Sequence, residues 1–279
     1  MRNLTAEQLA GANSLYWLYS FDYFLTSMEK LGVSCIDLYT LACHGIDLMQ
    51  MTAADLRALY RRMRAQGVRA GCVLHDTGAG FPNIASENEA VRQRSIRLYR
   101  RMVEAAVELE APKIQLLPGR CGMDLPPEVG WMRAADSLYH ISRAAEREGV
   151  RVVVEASSYH NTTVGRSTRQ MLRLLDQVRS PMLQTMLDIC SVYKLGETFE
   201  ESLRAIGRAR MGHVHLCDGT PMGHLVPGDG NLPVVDCLRA LDAFGYRDTL
   251  ALEIFNERYE RDPHTHMQRA LAFFRAALA

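Results

Sequence analysis

Short, nearly continuous apolar runs alternate along this chain with longer stretches whose apolar residues recur at helical spacing. Such alternation marks βα units around a parallel sheet, because strands covered by helices on both faces lose the in–out alternation of a half-exposed strand. Eight runs read as strands: residues 14–18, 35–39, 70–74, 113–117, 152–155, 183–188, 212–216 and 250–253. Residues 55–66, 87–109, 131–148, 167–178, 198–206, 234–244 and 264–279 read as amphipathic helices. In 87–109, for example, Ile96, Tyr99, Met102, Val103 and Ala106 share one face and charges fill the other. Gly32, Gly67, Gly149 and Gly245 each follow a helix and precede a strand, where a left-handed residue ends the helix.

Eight strands at roughly 30 residues per unit predict an α/β fold of the (β/α)8 TIM-barrel type, one domain over residues 1–279. A doubly wound sheet is the alternative, but no glycine-rich phosphate loop follows an early strand. In a barrel, chemistry collects at the C-terminal ends of the strands. The fifth run ends in Glu155, the sixth in Asp188, the seventh carries His213 and His215, and the eighth ends in Glu253. Each lies about one βα unit from the next, so four neighbouring strands would aim them at one point. Three carboxylates gathered there would repel one another unless a cation sat among them. One divalent ion (Mn, Mg, Co, Fe or Zn, with Mn favoured) suits the mixed O/N set. Any one of these acids alone reads equally well as a helix N-cap. His213 and His215 point the same way, and His215 is the expected ligand because it lies nearer the strand's end. His75 and Gln115 occupy comparable positions on strands three and four, Asp218 follows His215 on strand seven, and all three are expected to face a substrate.

Composition narrows the function. Lys+Arg and Asp+Glu are 32 each, so no basic excess points to nucleic acid. No apolar stretch is long enough to span a membrane, and residues 1–11 do not read as a signal peptide, so a cytoplasmic location is expected. The seven cysteines are odd in number and include no CxxC pair, which argues against a disulfide framework and favours packing as small hydrophobes.

The stretches VVVEASS, MLDICS, GHVHLCDG, VPGDGNLP and LALEIF, in this order, resemble the sugar-phosphate isomerase/epimerase superfamily, the xylose isomerase-like barrels. The segment NIASENEAVRQRSIRLYRRMVEAAVELEAPKIQL is similar to that family's long helix before strand four. The resemblance implies a metal held by Glu155, Asp188, His215 and Glu253, with Glu155 and Glu253 as acid/base pair. The implied activity is isomerisation or epimerisation of a free sugar, ketose or inosose-like polyol through proton abstraction beside a carbonyl and a metal-bound enediolate. A metal-dependent lyase, either a dehydratase or a C-glycoside-cleaving enzyme, is the alternative. An endonuclease IV-like phosphodiesterase and a non-catalytic subunit rank lower. A homo-oligomer, dimer or tetramer, is implied by the same likeness. Three departures stand out: Ser191 where ketose 3-epimerases carry histidine, His224–Leu225 where they carry arginine, and Tyr159–His160–Asn161 where they carry a further glutamate. His160, Lys194 and His224 are therefore expected substrate contacts.

Overall fold

The computed structural model describes residues 1–75, 82–157 and 162–279. Eight parallel strands close into a barrel in sequence order, with β1 pairing both β2 and β8. They are β1 (Leu9–Ala12), β2 (Cys35–Thr40), β3 (Arg69–His75), β4 (Lys113–Leu116), β5 (Arg151–Glu155), β6 (Leu183–Asp188), β7 (Met211–Leu216) and β8 (Leu250–Leu252). The helices are α1 (Phe21–Lys30), α2 (Ala53–Ala65), α3 (Glu89–Glu108), α4 (Pro127–Glu148), α5 (Thr168–Val178), α6 (Ile189–Lys194), α7 (Phe199–Ile206), α8 (Val234–Phe244) and α9 (Pro263–Leu278). No helix among the described residues is long and apolar enough to cross a membrane.

The stripe expected on residues 87–109 is the buried face of α3, with Ile96, Tyr99, Met102, Val103 and Ala106 all in the core. Helix ends follow local chemistry. Thr52 and Asp55 form a capping box at the start of α2, and Gly149 and Gly245 close α4 and α8 in the left-handed conformation.

The first strand is a correction. It is Leu9–Ala12, not residues 14–18, which form a 3-10 turn and a loop where Trp17 and Leu18 are 45% and 56% exposed. The sequence LAGA has one large apolar residue, so it gives almost no hydrophobic signal. Small residues are needed there because the barrel interior is tight: Ala10, Cys35 and Ala251 fill one interior cluster. Helix α1 was anticipated only through Gly32, without a range, and α6 was not anticipated.

The floor of the barrel is polar. The Lys113 ammonium, at the start of β4, is fully buried and reaches across to Asp248 Oδ1 (3.0 Å), the Gly212 carbonyl (3.1 Å) and Thr249 Oγ1 (3.2 Å). Arg151 holds the other Asp248 oxygen at 2.8 Å.

Candidate metal and acid–base centre

Strand register brings Asp188, His215 and Glu253 into one group of possible ligands, and Glu155 stands near them without joining that group. Asp188 pairs directly with His215 across β6 and β7, Glu155 ends β5 beside Met186, and Glu253 follows Leu252, which pairs with Leu216. Glu155, Asp188, His215 and Glu253 are 6%, 1%, 0% and 7% exposed, so water screens none of their charges. One donor atom each from Asp188, His215 and Glu253 lies within 4.8 Å of the other two. Asp188 also fulfils the local role open to any acid at a strand end. Its Oδ1 caps α6 by accepting the Ser191 N–H at 2.6 Å. The other oxygen, Oδ2, faces the cluster, 3.4 Å from His224 Nε2.

The orientation of His215 tests whether these residues suit a cation. Its Nε2 lies 3.2 Å from Asp37 Oδ2, which also takes His213 Nε2 at 2.7 Å. A carboxylate accepts only, so both histidines carry their proton on Nε2 toward Asp37. That leaves His215 Nδ1 facing the acids. It is 3.0 Å from Glu253 Oε2 in a geometry that makes no hydrogen bond, and although burial opposes it, Glu253 and Asp37 raise the ring well above its usual value, so an ion would replace the Nδ1 proton. A buried ring nitrogen in that state, amid three carboxylates, fits a divalent ion, and an acid on the far nitrogen is the usual support of a metal-bound histidine. Burial opposes the charge of Asp37, but His213 and His215 hold its carboxyl at about 2. Burial pushes His213 down to about 4, so this ring is neutral.

The two glutamates differ. Burial, with Glu253 and Asp188 nearby, raises the Glu155 carboxyl to about 8. Gln115 Nε2 donates to its Oε2 at 2.7 Å, and Ser191 Oγ lies 3.2 Å from Oε1. Burial works the same way on Glu253, but His215 and His224 overcome it and hold that carboxyl well below the usual range. The Tyr39 hydroxyl donates a very short hydrogen bond to Glu253 Oε1.

Of the other expected residues, Gln115 stands in the cluster. His75, at the end of β3, shares a 3.0 Å hydrogen bond with Thr40. His224 is buried in the cluster, with φ of 44°, its ring stacked on Phe255 at 4.1 Å and its Nε2 3.1 Å from Glu253 Oε2. Asp218 is buried and occupied as a loop organiser. It accepts the N–H groups of Gly219, Gly228, Gly230 and Leu232 at 2.7–3.1 Å. A Cβ on Gly230 would sit 2.4 Å from Asp218 Oδ1, so only glycine permits that wrap. Lys194 is exposed on the last turn of α6 and shares no hydrogen bond with the cluster. His160 lies outside the described residues. Sequence reading passed over Asp37, Tyr39 and Phe255. The available signal was an acid and a tyrosine two apart in an otherwise apolar strand, both facing inward.

Tyr39 and Glu253 also line a cavity of about 450 Å³, walled by Leu15, Trp17, Leu41 and Phe255, a volume suited to a small molecule.

A family model described as xylose isomerase-like TIM barrel matches residues 25–277. The fructoselysine 3-epimerase of Shigella flexneri is 28% identical over 202 residues, 71% of this chain and 72% of that protein. The D-psicose 3-epimerase of Enterocloster bolteae is 23% identical over 254 residues, 88% of this chain and 81% of the relative. A crystal structure of D-psicose 3-epimerase with D-tagatose from Clostridium cellulolyticum superposes with a TM-score of 0.79 at 18% identity, covering 97% of this chain and 99% of the other, a likeness of fold.

Proposed function

The chain belongs to the xylose isomerase-like TIM-barrel family and is an enzyme of the isomerase class, and from that premise we propose that it epimerises a small unphosphorylated ketose beside its carbonyl with one divalent ion. Two buried glutamates carry this reading, one ending β5 and one just after β8, on either side of the Asp188–His215 pair. An epimerase needs a base on one face of the reacting carbon and an acid on the other. Groups whose surroundings drive their pKa values apart can supply both at neutral pH.

Glu155, Asp188, His215 and Glu253 would hold the ion, for which Mn²⁺ is favoured on a donor set rich in oxygen. When bound, it supplies positive charge where the substrate carbonyl oxygen becomes negative. The Glu253 carboxylate takes the proton from the carbon next to the carbonyl, and the protonated Glu155 returns one to the opposite face. In the reverse reaction the roles exchange. The Tyr39 hydroxyl steadies Glu253 in its charged form. Gln115 orients Glu155 through a bond to Oε2, and Ser191 flanks Oε1. His224, stacked on Phe255 at the cavity side, offers a donor to a sugar oxygen, and His75 and His160 are proposed as further substrate contacts. We extend the proposal to a single domain working in the cytoplasm as a homo-oligomer.

The test is proton exchange. The Mn²⁺-loaded protein, incubated in D2O with free ketoses and 1-amino-1-deoxyketoses, should place deuterium beside the carbonyl of at least one and form its epimer. Glu253→Gln should fold and lose the exchange. Absence of exchange across the panel, or loss of a leaving group instead of epimer formation, would overturn the assignment.

A further inference from the structure

We propose that Asp188, Cys190, Cys217 and His224 form a second, thiolate-rich site for a tetrahedral divalent ion such as Zn²⁺, adjoining the oxygen-rich site and sharing Asp188 with it. One donor atom from each of the four lies within 4.8 Å of the other three, and all four residues are buried. Cys190 stands two residues beyond Asp188 in the first turn of α6, and Cys217 two beyond His215 at the end of β7. His224 enters from the following loop.

Two of the three closest donor separations match a coordination tetrahedron, and the third falls short of it. With Zn–S near 2.3 Å and Zn–N or Zn–O near 2.0 Å, tetrahedral donors stand about 3.5 Å apart for S and O, about 3.3 Å for N and O, and about 3.8 Å for two sulfurs. Cys217 Sγ lies 3.5 Å and His224 Nε2 3.4 Å from Asp188 Oδ2. Cys217 Sγ and Cys190 Sγ are 3.2 Å apart, so the thiols need to part by roughly 0.6 Å. Both cysteines pack in the main apolar core, as small hydrophobes do, but their sulfurs also meet polar groups. Here two thiols face each other, a carboxylate and an imidazole, and Cys190 Sγ points at the Asp218 carbonyl 3.2 Å away. Binding releases both thiol protons, and that of His224, to solvent, leaving two thiolates and a neutral imidazole around the ion. The Ser191 N–H occupies Asp188 Oδ1, so Oδ2 is the oxygen the two sites share. Metal softness separates them: thiolates select Zn²⁺, and the carboxylate-rich neighbour suits Mn²⁺ or Mg²⁺.

The experiment uses the full chain, stripped with a chelator and loaded with Co²⁺ or Zn²⁺. Expected are a thiolate-to-Co²⁺ charge-transfer band in the near ultraviolet and up to two Zn²⁺ per chain. Cys190→Ser and Cys217→Ser should each abolish the band and remove one ion. His215→Asn, which strikes the oxygen-rich site, should keep the band, so this result is separable from failure of the epimerase reading. Zn²⁺ should also protect two of the seven thiols of the wild-type chain from a thiol reagent, an answer that requires no variant to fold. A folded chain that takes up Co²⁺ without the band, or gains no thiol protection, overturns the proposal.

Discussion

Asp37→Ala offers the sharpest probe of the proposed oxygen-rich metal site, because Asp37 touches no expected metal or substrate atom. Its Oδ2 takes the Nε2 protons of His213 and His215 at 2.7 and 3.2 Å. Removing it leaves two buried ring N–H groups without an acceptor, and frees His215 to turn or to move its proton to Nδ1, the atom that must offer a lone pair. A hydrogen bond to a charged acceptor contributes about 1.5–3 kcal/mol, but only the His215 bond bears on the ligand nitrogen. Loss of such a supporting partner typically weakens metal binding about 10–100-fold, or about 1.4–2.7 kcal/mol. Asp37→Asn tests the charge alone. Its carbonyl oxygen can take the Oδ2 position, and its amide the Oδ1 position, where the carboxylate oxygen already lacks a partner. It should therefore lose less affinity than the alanine variant. Calorimetric titration of stripped, folded protein with Mn²⁺ reads both. Unchanged Mn²⁺ affinity in a folded Asp37→Ala chain would refute the account of how His215 is oriented.

Two further outcomes follow from neighbouring contacts. Asp248→Ala leaves the Lys113 charge in the barrel floor without its carboxylate and should cost about 3–5 kcal/mol in urea unfolding. Burial opposes the Asp248 charge, but Lys113 and Arg151 outweigh it and hold the carboxyl below the usual range. The stability it contributes is complete above about pH 4 and is lost as pH falls through its lower folded value, so Asp248→Asn should flatten the decline of Tm in acid. Tyr39→Phe removes the hydroxyl that favours charged Glu253. It should lower kcat for proton exchange about 10–100-fold with little change in KM, and raise the pH at which the base becomes active.

The sequence made the ring of strands and the strand-end acids legible because both depend on local pattern. Seven of the eight expected strands overlap observed ones, since valine- and leucine-rich runs such as 152–155 announce themselves. The first did not: LAGA packs where only small side chains fit, and packing space leaves no hydrophobic signature. Asp37 and Tyr39 were missed for a different reason. Attention to strand ends overlooks residues inside a strand that meet their partners across the barrel, as Asp37 meets His213 some 176 residues away in sequence. Asp218 shows the converse. It sits where a substrate contact is expected, yet its oxygens are taken by four backbone N–H groups of its own loop, a role visible only once the loop is folded.

These polar residues form a single column from the barrel floor toward the strand ends, and its direction is set by the one member that can only donate. Lysine has no acceptor, so Lys113 donates to Thr249 Oγ1 at 3.2 Å. The Thr249 hydroxyl is then free to donate its own proton to His213 Nδ1, 3.3 Å away. His213, neutral at physiological pH, must carry its proton on Nε2 and give it to Asp37. Asp37, charged and accepting, takes the Nε2 proton of His215 as well, so Nδ1 is the nitrogen turned toward the acids. Asp37 fixes the tautomer of His213 and the orientation of His215, and the Thr249 hydroxyl, which can also turn to Asp248 Oδ1 3.4 Å away, links that pair to the barrel floor. A buried lysine in a barrel floor is expensive to desolvate, and stability alone gives little reason to keep one. Its position at the start of this column supplies another reason: by occupying a Thr249 lone pair it leaves that hydroxyl's proton available to His213 Nδ1, which supports the tautomer that Asp37 selects.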